Sequence, residues 1–150
     1  MESKYPLDYI SEGYKNMDEL EKTQVMVEFY MVGDEFDVDI VSSLLQIKPT
    51  ETRQKEDFPI KEFAKVEWSI STNYQESKAI SCQFERLLAQ LSSKHEIINK
   101  IKSTYNLECG FNVVIKIIND EQPEMVLTRE CINFASKINA EIGFDLYYYI

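Results

Sequence analysis

Apolar and polar positions alternate from Thr23 to Val32, with Val25, Val27, Phe29 and Met31 on one side. A period of two built from β-branched and aromatic residues predicts a strand, and Gly33-Asp34-Glu35 breaks it. Behind Asp37, an N-cap residue type, Ile40, Val41, Leu44, Leu45 and Ile47 recur at helical spacing. Pro49 is predicted to end that helix, because the residue before a proline is pushed out of the α region. Residues 50–65 read as a charged, turn-like stretch. From Lys65 to Thr72 the alternation returns, with Val66, Trp68 and Ile70 on the inner side. That is the pattern of a half-buried strand with Trp68 as a core anchor.

Ser77 is predicted to open the longest helix, whose stripe is Ile80, Phe84, Leu87, Leu88 and Leu91. Ser93 and Glu96 have capping-box spacing, so a second helix or a kinked continuation is expected to start there, with Ile97, Ile98 and Ile101 extending the stripe. Cys109 to Ile118 is apolar on both sides in part, as suits a covered central strand. Asn119 to Pro123 is a turn, and Glu124 to Leu127 is a candidate short strand. Thr128 can cap a last helix with Cys131, Ile132, Ala135, Ile138 and Ile142 inward, and Gly143 is expected to stop it. Phe144 to Ile150 closes as a strand. Residues 1–22 carry Ile10, Tyr14 and Met17 at helical spacing and predict a short amphipathic extension. The fold class is therefore α+β over residues 23–150: an antiparallel or mixed sheet with helices packed on it. Strand, acidic loop and capped helix at 25–47 and again at 111–142 hint at two loosely similar βαβ-type halves.

Composition narrows the function classes. The chain has 150 residues, 44% of them apolar, with only 4 Gly and 4 Pro, which excludes disorder and collagen-like or low-complexity structure. Net charge is −10. Nucleic-acid binding works by neutralising phosphates with Lys and Arg, so neither that nor an anionic membrane surface is expected to be the partner. Residues 1–75 hold 16 acidic and 8 basic residues, against 10 and 8 in residues 76–150, so most of the excess lies in the first half. Cys82, Cys109 and Cys131 are odd in number and without C-x-x-C spacing, which excludes a disulfide framework or zinc ribbon. Buried thiols in a reducing cytosol are expected. No apolar run resembles a signal peptide or spans a bilayer, so a cytoplasmic location is expected.

Three blocks carry a family resemblance. The first runs Phe29-Tyr30-Met31-Val32-Gly33-Asp34-Glu35-Phe36-Asp37-Val38-Asp39-Ile40 and continues as Leu44-Leu45-Gln46-Ile47-Lys48-Pro49-Thr50. The second joins Glu67-Trp68-Ser69-Ile70 to Leu87-Leu88-Ala89-Gln90-Leu91. The third is Gly143-Phe144-Asp145-Leu146-Tyr147. Together they resemble the bacterial domain-of-unknown-function family DUF4279 over about residues 24–150. Gln46 stands where that family commonly has glycine, and Lys55-Glu56 where it has a lysine-glycine pair. The resemblance implies a small bacterial cytosolic domain and supplies no catalytic residues.

Candidate chemistry is sparse. Glu35-x-Asp37-x-Asp39 echoes the start of a calcium loop, but Ile40 and Gln46 replace the glycine and the bidentate glutamate that such a loop needs. No metal or cofactor is expected. The single histidine, His95, belongs to no G-x-S-x-G arrangement, and no phosphate-cradling glycine loop exists. The expected function is non-enzymatic binding of a basic protein partner, of the immunity-protein type. The candidate contact residues are Asp34, Glu35, Asp37, Asp39, Glu56 and Asp57, with Tyr147 and Tyr149 as a tyrosine-rich surface. The alternative is a small-molecule or peptide sensor with a pocket between sheet and helices, near Trp68 and the C-terminal tyrosines.

Overall fold

The alternation of Val25, Val27, Phe29 and Met31 with half-buried residues makes β1 (Gln24–Gly33) a strand that is covered on one face and partly screened on the other. A computed structural model describes residues 22–150. The extension expected to be helical lies outside those residues, apart from Lys22. The other strands are β2 (Glu51–Arg53), β3 (Val66–Ser71), β4 (Gln75–Glu76), β5 (Glu108–Ile118) and β6 (Glu141–Tyr149). They form a mixed sheet in the order β2-β3-β1-β5-β6, with β4 also pairing with β1. All pairings are antiparallel except β5 with β6. The fold is α+β.

The helices α1 (Val38–Leu45), α2 (Ile80–Leu91), α3 (His95–Tyr105) and α4 (Arg129–Lys137) bury their stripes in one core with the inward residues of β1, β3 and β5. Phe111 of β5 lies at its centre. Its ring meets Phe29 of β1 at 5.3 Å, Phe84 of α2 at 5.5 Å and Phe134 of α4 at 6.4 Å. Trp68 is fully buried under α1, and its indole N–H donates to Ser42 Oγ at 2.9 Å. It is the core anchor that its alternation predicted. The opposite face of the sheet carries no helix among the described residues.

Several element ends differ from expectation, for local reasons. Asp37 does cap α1, accepting from the Asp39 N–H. The helix stops at Leu45, ahead of Pro49, because Gln46 takes the left-handed conformation at φ 56°. Residues 50–65 are not all turn: β2 pairs with β3, and two 3₁₀ turns follow. Ser77 does not open α2. Its hydroxyl closes a turn on Ala79, and the helix starts at Ile80, whose N–H is satisfied by the Glu124 carbonyl. That single bridge replaces the strand expected at 124–127. The second helix exists, but Ser93 does not cap it, because residues 92–94 continue α2 as a 3₁₀ turn and never leave helical geometry far enough. Thr128 caps α4 as expected. Asn139, at φ 51°, turns the chain after α4, and Gly143 lies inside β6 rather than at the helix end.

The two similar stretches share strand, loop and capped helix. The first then returns antiparallel through β3, whereas α4 makes a parallel crossover into β6.

Among the described residues, Gln46, Asn73, Asn106, Asn119, Asp120 and Asn139 take left-handed backbone conformations. Asn and Asp tolerate this region because their short side chains bond locally, and Gln does not share that advantage. Replacing Gln46 with Gly is expected to stabilise the fold by about 1 kcal/mol, read as a higher denaturation midpoint with unchanged slope. A lower midpoint would refute the strain at this position.

Candidate functional site

The acidic segments predicted to matter come together after β1. Asp34 accepts from Lys65 Nζ at 2.6 Å, and Glu35 lies 3.6 Å from Lys55 Nζ. The loop that follows β1 is thereby tied to the 3₁₀ turns that follow β2. The hydrogen bond and charge of Lys65 hold the Asp34 carboxyl below its usual range. Asp37 is spent on the α1 cap, and Asp57 accepts from the Gln54 N–H at 2.7 Å. Asp39 and Glu56 are exposed and make no ion pair among the described residues. Four of the six acids are thus structural, and the calcium-like spacing is a capped helix entry.

Sequence reasoning missed a second acidic set beside this corner, on the face of the sheet opposite the described helices. Register places Glu28 of β1, Glu67 of β3 and Glu51 of β2 on that face, with Arg53 opposite Glu67. Burial raises the Glu28 carboxyl above its ordinary range; Glu67 and Glu51 raise it further, while a hydrogen bond from Asn112 pulls it down. Burial also raises Glu67, against the pull of Arg53. Arg53 is itself held over the Phe58 ring at 4.1 Å. The trace in the sequence was the polar half of each alternating strand, which looks like an ordinary wet face until strand order brings the glutamates together.

Tyr147 and Tyr149 do not join this acidic region. β6 is at the edge opposite β2, and both tyrosines lie at the far end of the sheet from Asp34. Tyr147 donates to Asp145 at 2.9 Å and pairs in register with Lys116. The Lys116 ammonium sits 3.8 Å from the Tyr74 ring centre, and burial lowers its pKa. A cation therefore lies on the strand beside Tyr147, and the predicted contact residues form two separate patches.

A cleft of about 260 Å³ opens at the starts of the parallel strands β5 and β6, lined by Tyr30, Lys102, Glu108, Cys109, Asn139 and Glu141 among others. The Tyr30 ring lies across Gly110, where any Cβ would overlap the phenol and press on the Glu141 carbonyl. Burial raises the Tyr30 hydroxyl, helped by Glu141. Lys102 Nζ donates to the Ile138 carbonyl, and Asn99 to Lys137, so α3 satisfies the C-terminal end of α4. Trp68 lies elsewhere, separated from β6 by β1 and β5.

The cysteines are not all buried. Cys82 is exposed, because it falls off the inward stripe of α2. Burial raises the Cys109 thiol, and burial with Glu130 pushes Cys131 up to about 11. Neither thiol is activated as a nucleophile. Among the described residues no group of three His, Cys, Asp or Glu side chains could hold a metal ion, and no helix is long and apolar enough to cross a membrane.

No curated protein and no solved structure matches the chain. Residues 23–149 match the domain of unknown function DUF4279. That span takes in every described strand and helix, and on it the chain belongs to the DUF4279 family.

Proposed function

We propose that this chain is a bacterial, cytoplasmic, non-enzymatic domain that binds a basic protein partner, in the manner of an immunity protein that neutralises a cationic toxin domain. The observation that carries this reading is the carboxylate surface running from Glu28, Glu51 and Glu67, on the sheet face opposite the described helices, to the Asp34–Asp39 corner. Glu28 and Glu67 are each partly desolvated and lie four residues apart along the sheet, close enough for the Glu67 charge to raise Glu28, with Arg53 facing Glu67. Lysine or arginine side chains from a partner would relieve that repulsion on docking and would speed encounter over long range.

The test uses the purified product of the gene adjacent to this one. Its association rate should fall at least about tenfold between low salt and roughly 0.5 M NaCl. Glu51→Gln with Glu67→Gln should slow association at low salt and leave folding intact. Salt-independent binding, or none, would reject the reading. A second reading, a sensor of small polar molecules, is favoured by the cleft beside Tyr30 and Lys102. A metabolite that raises the melting temperature of the wild type, but not of Gly110→Ala, would support it.

A further inference from the structure

We propose that β6 is a dimerisation strand that pairs antiparallel with β6 of a second copy across a two-fold axis at Leu146. β6 runs for nine residues along the edge of the sheet, and among the described residues no strand pairs with its outer side. Its register with β5 sets Phe144, Leu146 and Tyr148 on the helix side, beside the buried Val113, Ile115 and Ile117. Yet the helices do not roof them. Phe144 is 43% exposed, Leu146 38%, Tyr148 51% and Ile150, next along the row, 89%. A long apolar edge of this kind is a liability that folded proteins cover.

The occupant follows from pattern, charge and area. The Tyr149 carbonyl accepts from Asn119 on the β5 side, so by alternation the backbone groups of Phe144, Leu146 and Tyr148 face outward. With the axis at Leu146, that residue meets its own copy, Phe144 meets Tyr148 and Ile142 meets Ile150. On the other face, Asp145 meets Tyr147 and Gly143 meets Tyr149. A shift that centred the axis on Asp145 would oppose two carboxylates, which is unfavourable. A shift toward Tyr147 would leave Ile142 unpaired. Asp145 is the single charged side chain between Ile142 and Ile150, so this strip offers nothing to a cationic partner. The exposed parts of the row amount to on the order of 400 Å² per copy, and with the paired main chain two copies approach the roughly 1,000 Å² of a specific interface.

The whole chain should sediment as a dimer at about 100 µM, with twice the mass of the 17.6 kDa chain. Each copy carries −10, so added salt should strengthen the dimer, opposite to its effect on a basic partner. Leu146→Lys, a change at an exposed position, should weaken it at least about tenfold by placing like charges on the axis, with the melting temperature retained. Leu44→Lys, at an exposed position of α1 over the opposite edge of the sheet, should leave it unchanged. In a Cys82→Ser background, Leu146→Cys should form a disulfide between copies under oxidation, because directly paired Cα atoms lie within bridging distance. A monomer at all salt concentrations would overturn the proposal. So would a dimer that survives Leu146→Lys and is not trapped by Leu146→Cys.

Discussion

Replacing Phe111 with Ala is expected to cost about 3–5 kcal/mol, among the largest losses from any single side chain in this fold. Phe111 is fully buried, and its ring touches a strand and two helices through Phe29, Phe84 and Phe134. Truncation removes the transfer energy of the ring, opens a cavity between layers that cannot all collapse, and breaks three aromatic contacts worth about 0.5–1.5 kcal/mol each. A domain of this size has about 5–15 kcal/mol in hand, so a large share of the stability goes. Urea denaturation should show a much lower midpoint with an unchanged slope. Phe111→Leu keeps most of the volume and should lose less than half as much. A loss under about 1 kcal/mol for the alanine variant would mean that the layers are not packed around this ring.

Trp68→Ala should cost a similar 3–5 kcal/mol, at the other end of the core. Here the contribution separates into two parts. Trp68→Phe retains a buried ring but withdraws the donor to Ser42 Oγ. Ser42 still donates to the Val38 carbonyl at 3.1 Å, so no buried donor is stranded. The phenylalanine variant should therefore lose only about 1–2 kcal/mol, part hydrogen bond and part residual space. Ser42→Ala, which strands the indole N–H, should cost at least about 1 kcal/mol although it deletes a single atom. If Ser42→Ala were neutral, the bond to α1 would hold nothing in place. Intrinsic fluorescence of the single tryptophan reports the Ser42 and Phe111 variants, which keep it, and circular dichroism reports the two Trp68 variants.

The buried half of this fold was legible and its punctuation less so. Val25 to Met31, Val66 to Ile70 and Phe111 to Ile117 alternate because one face of each strand meets the helices, and that period is written into the chain. Helix ends depend on a few bonds that pattern does not reveal. Gln46 takes a left-handed turn that its residue type does not advertise, and Ser77 spends its hydroxyl on Ala79 instead of a cap. The two-residue β4 and three-residue β2 are too short for any period to register. The acidic candidates were legible as charge but not as place. Ion pairs with Lys55 and Lys65 join the Asp34 and Glu56 segments, whereas strand order sends Tyr147 and Tyr149 to the opposite edge and brings Glu28, Glu51 and Glu67 together. Such neighbours are separated by tens of residues, and only the sheet makes them neighbours.

The position of β1 has a consequence in time. It is made first among the described strands, yet one of its flanks is closed by β5, which begins at Glu108. A nascent chain that has not reached Glu108 therefore carries Val27 and Phe29 with one backbone edge open and half of their core missing. Parallel pairing of β5 and β6 then waits for the α4 crossover as well. Closing such long loops carries an entropic cost that slows folding relative to proteins built from local contacts. The ribosome must deliver β5 before β1 can be flanked on both edges, and β6 is the last of the described strands to be made.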